Sequence, residues 1–284
     1  MTTPNPSDAV HLDEIGYWSE VKLAIVQQYS KAYSTILARQ PYLKHLYIDG
    51  FAGAGTHLSK TSGQLVPGSP LNALVVEPRF TELHFIDLDG GRADRLRELA
   101  AEDDRVTVYE GDCNEVLLQK VFPRCQYKDY RRGLCLLDPY GLNVDWVVLQ
   151  QAGQMRSIDL FFSFMIGDAN RNVFWRDPSR VAPDQAARMD RAWGDSSWRN
   201  AAYRSEGPNL FGDEVLVKRE NADIAEAFRL RLQNVAGFAQ VPQPMPMRNS
   251  KGAVIYYLYF ATHNEAGARI AKHIFRTFED RGIV

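Results

Sequence analysis

Tyr47-Ile48-Asp49-Gly50-Phe51-Ala52-Gly53-Ala54-Gly55-Thr56 is the stretch on which the reading of this chain turns. Leu46-Tyr47-Ile48 is a short apolar run of the kind that forms a buried parallel strand. It then breaks into glycines. Gly53 and Gly55 carry no Cβ, so the backbone there can turn tightly and bring its amide N–H groups close to a ligand. A strand that ends in such a loop forms a nucleotide-binding crevice at the carboxyl edge of an α/β sheet. A dinucleotide fingerprint would need a third glycine where this chain has Leu58, and an acid about twenty residues further on. The first acid at a strand end, Asp87, comes much later, which disfavours a nicotinamide cofactor.

Further apolar runs follow, each ending in polar residues. Leu83-His84-Phe85-Ile86-Asp87-Leu88-Asp89 reads as a second parallel strand. Asp87 at its end could grip a ribose, since a carboxylate accepts protons from both hydroxyls; the alternative is that it only caps the helix after it. Asp89 reads as the N-cap of a helix from Arg92 to Ala100. Val106-Thr107-Val108-Tyr109-Glu110-Gly111-Asp112-Cys113 reads as a third strand that also ends in an acid. Leu134-Cys135-Leu136-Leu137 is a fourth, and it runs into Asp138-Pro139-Tyr140-Gly141. That tetrapeptide is also good turn chemistry, with proline at the second turn position. Ile158 to Phe164 reads as the fifth strand, and Met245 to Met247 with Ala253 to Thr262 as a hairpin that closes the sheet.

The spelling Asp49-x-Phe51-x-Gly53-x-Gly55-Thr56 resembles motif I of S-adenosylmethionine-dependent methyltransferases, particularly those acting on exocyclic amines of nucleobases. Asp138-Pro139-Tyr140-Gly141 is similar to the fourth motif of tRNA guanine-N2 dimethyltransferases, and departs from the two-proline form found in other amino-methyltransferases. Taken in order with Gly68-Ser69-Pro70, Phe85-Ile86-Asp87, Gly111-Asp112-Cys113-Asn114 and Tyr256-Tyr257-Leu258-Tyr259-Phe260-Ala261, these segments closely resemble the three-Cys-motif partner family (TcmP). The resemblance covers about residues 15 to 280. It implies a Rossmann-like class I methyltransferase sheet, mostly parallel with an antiparallel last strand, helices on both faces and a small helical insertion. It implies S-adenosyl-L-methionine as cofactor, held by Asp49, Phe51, the Gly53 and Gly55 backbone, Asp87, Asp112 and the Cys113 amide. Asp138 and the Pro139 carbonyl would orient an acceptor amine and Tyr140 would stack on its base. It further implies a radical-SAM-like partner that carries the three-cysteine motif itself, so the cysteines here are coincidental.

The remaining chain frames this core. Residues 1 to 12 read as a loose polar terminus, and Ser19 to Gln40 as a helix capped by Ser19 and stopped by Pro41. In many methyltransferases such a helix covers the cofactor cleft, which would bring Trp18 and Lys22 near the site. Thr56 to Val66 reads as a flap at the cleft mouth, before a helix from Pro70 to Val76 with Ser69 as N-cap. Residues 170–212 read as the helical insertion between a cofactor-binding part, 1–169, and the remainder of the α/β domain, 213–284. In the insertion Trp175, Trp193, Trp198 and Tyr203 interleave with arginines, a pattern that suits unstacked bases or, given the interspersed acids, a salt-bridged subdomain or partner surface. Asn221 to Asn234 and Ala266 to Phe278 read as helices, with His263 an ordinary loop residue.

Composition sets the outer limits. A formal net charge of −2 and pI near 6.3 give no global basic field, so any nucleic-acid site must be local. Cys113, Cys125 and Cys135 lack CxxC spacing, which supports neither a disulfide framework nor a metal site. Without a signal peptide or an apolar run of membrane-spanning length, the expectation is a cytoplasmic protein with no membrane association. Two functions follow: an N-methyltransferase acting on a nucleic-acid base, or a non-catalytic cofactor-fold adaptor that binds or regulates the radical-SAM-like partner.

Overall fold

A computed structural model describes residues 13–208 and 214–279. The polar terminus read over residues 1–12 therefore lies outside the described residues, as do residues 209–213, where the insertion ends and the remainder of the α/β domain begins. Among the described residues the central sheet has seven strands. They are β1 (Lys44–Asp49), β2 (Glu82–Asp87), β3 (Val106–Glu110), β4 (Arg131–Leu137), β5 (Ile158–Phe164), β6 (Met245–Arg248) and β7 (Val254–Ala261). Their order across the sheet is β3-β2-β1-β4-β5-β7-β6. Neighbours from β3 to β5 are parallel, while β7 runs antiparallel to both β5 and β6. This is the Rossmann-like methyltransferase sheet. The order reverses between β1 and β4, so a crevice opens there beyond the strands' carboxyl ends.

The α-helices are, in chain order, α1 (Tyr17–Leu37), α2 (Ser69–Leu74), α3 (Gly90–Leu99), α4 (Cys113–Val116), α5 (Trp146–Met155), α6 (Ile166–Asn172), α7 (Pro183–Trp193), α8 (Trp198–Ala202), α9 (Asn221–Asn234) and α10 (Glu265–Phe278). Alternation along β1 divides them between two cores. Tyr47 faces Ile25, Tyr29, Phe80 and Phe275 on the side of α1, α2, α3 and α10. Leu46 and Ile48 face the other side, where α5 and α9 bring Leu149, Phe228 and Leu232. Because both faces are covered, β1, β2, β4 and β5 are almost wholly buried, which is why they stand out in the sequence as continuous apolar runs.

Several local expectations are corrected. Helix α1 begins two residues before Ser19: Gly16 is its N-cap, and the Gly16 carbonyl accepts from the Ser19 and Glu20 amides at 3.0 and 3.3 Å. Gly68, not Ser69, caps α2, which ends at Leu74. A Cβ on Gly68 would stand 3.0 Å from the Gly55 carbonyl oxygen, so the glycine lets the two loops touch. The stretch from Thr56 to Val66 is not a structureless flap. Thr56–Ser59 pairs antiparallel with Leu65–Pro67, and Glu14–Ile15 adds a parallel strand. Asp89 does cap α3, its Oδ1 accepting from the Arg92 amide at 2.9 Å.

In the insertion, α7 and α8 lead into an antiparallel pair, Tyr203–Pro208 with Glu214–Lys218. Trp193, Trp198 and Tyr203 are buried. Trp193 packs edge-on to Phe228 and Trp198 beside Phe174. They are core residues, so the stacking surface read from them is withdrawn; Trp175 alone of the four stays partly exposed. His263 is anchored: its Nε2 lies 2.6 Å from the Gly153 carbonyl and its ring stacks on Phe238.

Candidate functional site

The glycine loop after β1 is held by its neighbours. Gly53 and Gly55 have φ of +65° and +82°, left-handed conformations that side chains resist. The Gly53 amide donates to Asp87 Oδ2 at 2.8 Å, tying the loop to the end of β2. The Asp89 amide donates to Asp87 Oδ1 at 2.9 Å. Asp87 is thus fixed by both oxygens, and each keeps lone pairs for a further donor. At the end of β3, Asp112 Oδ1 caps α4 by accepting from the Asn114 and Glu115 amides. The Cys113 amide, first in that helix, has no partner within the helix.

These groups wall a cleft of about 820 Å³ whose lining includes Phe51, Asp87, Asp112, Cys113 and Tyr140. Asp138 and Pro139, at the end of β4, line a second chamber of about 220 Å³ together with Gly53. Phe51 and Tyr140 belong to both walls, so the two spaces adjoin. Asp49 and Gly55 line neither. Asp49 is fully buried behind the loop, with Oδ1 accepting from the Phe51 amide at 3.2 Å. Burial raises its carboxyl to about 7 against the pull of the Ser69 hydroxyl and the Phe51 amide. Gly55 turns away from the cleft: a Cβ there would stand 3.0 Å from Leu99 Cδ1.

Other residues of the site lack a local sequence signature. Arg92, Asn114, Leu142 and Arg188 also line the larger cleft. Asp13 bridges its rim, accepting from Arg92 at 2.9 Å and from the Tyr140 hydroxyl at 3.1 Å. Arg188 pairs with Asp168, whose Oδ2 also accepts from the Leu142 amide at 3.1 Å. A Cβ on Gly141 would lie 2.8 Å from both partners of that pair, which accounts for glycine after Tyr140.

The smaller chamber holds an ion pair that was only partly anticipated. Lys22, on the buried side of α1, donates to Asp138 Oδ2 and sits 5.3 Å from the centre of the Tyr256 ring. Its side chain is 8% exposed and that of Asp138 28%. Burial is the largest single influence and works against the ammonium, but the field of Asp138, its hydrogen bond and the nearby Tyr256 and Asp49 together outweigh it and hold Lys22 above the ordinary lysine range. Burial also pushes the Tyr256 hydroxyl up to about 12. His57, on the chamber wall, is lowered by burial and stays neutral near pH 7. Cys113, Cys125 and Cys135 are buried free thiols, and among the described residues no group of His, Cys, Asp and Glu could hold a metal ion. No described helix is long and apolar enough to cross a membrane.

No family model and no curated protein matches the sequence. Among solved structures, the chain is similar to a Thermobifida fusca protein assigned provisionally to the methyltransferases, at 13% identity and TM-score 0.43 over 86% of this chain and 79% of that one. It is also similar to the Escherichia coli protein yhhF, with the same provisional assignment, at 10% identity and TM-score 0.34 over 84% and 87%. A third is the 23S rRNA methyltransferase ErmE, at 13% identity and TM-score 0.29 over 87% and 98%. Likenesses this distant add nothing to the strand order, on which the methyltransferase-like class of the fold rests.

Proposed function

We propose that this protein is an S-adenosyl-L-methionine-dependent methyltransferase that N-methylates an exocyclic amine on a nucleic-acid base. The observation that carries the reading is the pair of adjoining spaces: one lined by Asp87, Asp112 and Cys113, the other by Asp138 and Pro139, with Phe51 and Tyr140 common to both. The residues of the larger cleft suit an adenosyl group. Asp87 offers acceptors for ribose hydroxyls, Asp112 an acceptor for an exocyclic amine, the Cys113 amide a donor, and Leu142 an apolar wall. When bound, the cofactor would supply an electrophilic methyl group on a sulfonium.

The chain's own work is positioning. Asp138 and the Pro139 carbonyl would each accept an N–H of the acceptor amine, so that its lone pair faces the larger cleft, and Tyr140 would stack on the base. In the transfer that the bound sulfonium would supply, the C–S electron pair would stay on sulfur as the amine's pair forms the C–N bond, and the amine's surplus proton would leave by way of Asp138 Oδ1, which already accepts it. As a member of the three-Cys-motif partner branch, the protein would act beside a radical-SAM-like protein. Calorimetric titration with S-adenosylmethionine, then mass spectrometry of RNA and DNA from cells expressing the protein with that neighbour, tests the reading. We expect binding, and a methylated nucleoside that vanishes in Asp138→Ala; no heat of binding would sink it.

A further inference from the structure

Lys22 and Asp138 together present one hydrogen-bond pattern to the acceptor chamber. Of the carboxylate, Oδ2 is engaged by the ammonium, while Oδ1 has no hydrogen bond among the described residues. Of the ammonium's three donors, one goes to Asp138 and a second can reach the Tyr256 hydroxyl, which leaves one for the chamber. The chamber is therefore offered an acceptor beside a donor, both charged and both held by buried structure. An entering NH₂ can use the free Oδ1 while Lys22 keeps Oδ2, so the ammonium's remaining donor capacity faces the same substrate, and one that offers it an acceptor gains a charge-assisted hydrogen bond.

Resting on the methyltransferase reading above, we infer that Lys22 is a specificity-determining residue, and that the chamber takes the amidine edge of a nucleobase. In that edge an exocyclic NH₂ stands next to an unprotonated ring nitrogen, as in cytosine, in adenine and on the N2/N3 side of guanine. The NH₂ donates to Asp138 Oδ1 and the Pro139 carbonyl, and Lys22 donates to the neighbouring ring nitrogen. An alkylammonium is refused on two counts: it offers no acceptor to Lys22, and it brings a second positive charge against it. A peptide carboxamide would meet the same hydrogen-bond pattern. The surroundings favour a base: the exposed Tyr140 ring offers a stacking face, and Arg191, exposed at the adjoining cleft, is suited to a phosphate.

The test pairs a substrate atom with the protein group. Methyl transfer from S-adenosylmethionine is measured on random single-stranded oligonucleotides carrying either normal bases or 3-deazacytosine, 1-deazaadenine and 3-deazaguanine, in which C–H replaces the ring nitrogen. For the wild type the deaza bases should cost about ten- to a hundredfold in kcat/KM, the worth of a specific charged base contact. For Lys22→Met they should cost nothing further, while S-adenosylhomocysteine affinity stays within twofold of wild type. Lys22→Arg keeps the charge and the ion pair but moves the donors, so it should fold like the wild type and still lose the discrimination. Equal deaza penalties in wild type and Lys22→Met, or none in the wild type, would overturn the assignment, as would methyl label on a peptide carboxamide or an alkylamine. Failure to bind S-adenosylmethionine at all would instead remove the methyltransferase reading beneath it.

Discussion

A carboxylate gripped at both oxygens by backbone amides has little freedom to reorient. Asp87 is such a group, held by the Gly53 and Asp89 amides at 2.8 and 2.9 Å. It joins β2 to the loop after β1 and faces the larger cleft. The helix that follows is capped by Asp89, so Asp87 is not its cap; the role seen for it is to fasten the loop, and the ribose role belongs to the proposed function. Asp87→Asn keeps the shape but must turn an NH₂ toward one of the two amides, leaving a nearly buried donor unpaired at a cost of about 1–3 kcal/mol. We expect a lower melting temperature together with S-adenosylhomocysteine affinity reduced at least tenfold, read by thermal melts and calorimetry. A loss of stability with unchanged affinity would reduce Asp87 to a loop fastener.

At the scale of elements, the glycine loop divides into two jobs. Gly53 lines the acceptor chamber, whereas Gly55 lies against Leu96 and Leu99 of α3. Gly55→Ala must hold a left-handed φ, at about 1–2 kcal/mol, and also push on the Leu99 side chain. The expected outcome is a lower midpoint in urea unfolding with cofactor affinity of the folded fraction unchanged; weakened affinity would mean that Gly55 also shapes the site. The same contrast explains what could be read from the chain alone. Strands β1, β2, β4 and β5 were legible because burial on both faces writes an unbroken apolar run. The hairpin of Thr56–Ser59 and Leu65–Pro67 was not, because its strands are short and its third partner is the distant Glu14–Ile15. Asp87, Asp112 and Asp138 were legible as a candidate site because topology brings their strand ends together, whereas Asp49 lies buried behind the loop. The Lys22–Asp138 pair spans 116 positions and depends on how α1 is rotated over the sheet, which no local pattern records. The roles of Trp193 and Trp198 were left open for a related reason. Interleaved arginines leave the buried side of a short helix undetermined until its partner, here Phe174 or Phe228, is known.

Across the whole molecule, the insertion and the sheet share one core. Trp193 and Phe164 both pack on Phe228 of α9, and Arg231 reaches back from that helix to the Trp193 carbonyl at 2.6 Å. One cooperative unfolding transition is expected, so its dependence on pH sums over groups in every part of the fold. Two groups pull in opposite directions. Burial lowers His84 to about 4, so its contribution is present above the unfolded histidine range and is lost as pH falls through about 4. Burial raises Asp159 to about 6 despite hydroxyl donors from Thr262 and Tyr29. Its contribution is fully present below the unfolded carboxyl range, falls as pH rises above about 4, and is gone beyond about 6. Asp159 stands on β5 at the wall of a separate cavity from the candidate site, so changing it leaves the cleft intact. Asp159→Asn cannot ionise, and the difference in unfolding free energy between variant and wild type should shift in the variant's favour as pH rises from about 4 to 6, then level off. Urea unfolding at a series of pH values measures that difference. A flat difference across the window would mean that Asp159 titrates alike in the folded and unfolded chains, and that its two hydroxyl partners fully offset the cost of burying its charge.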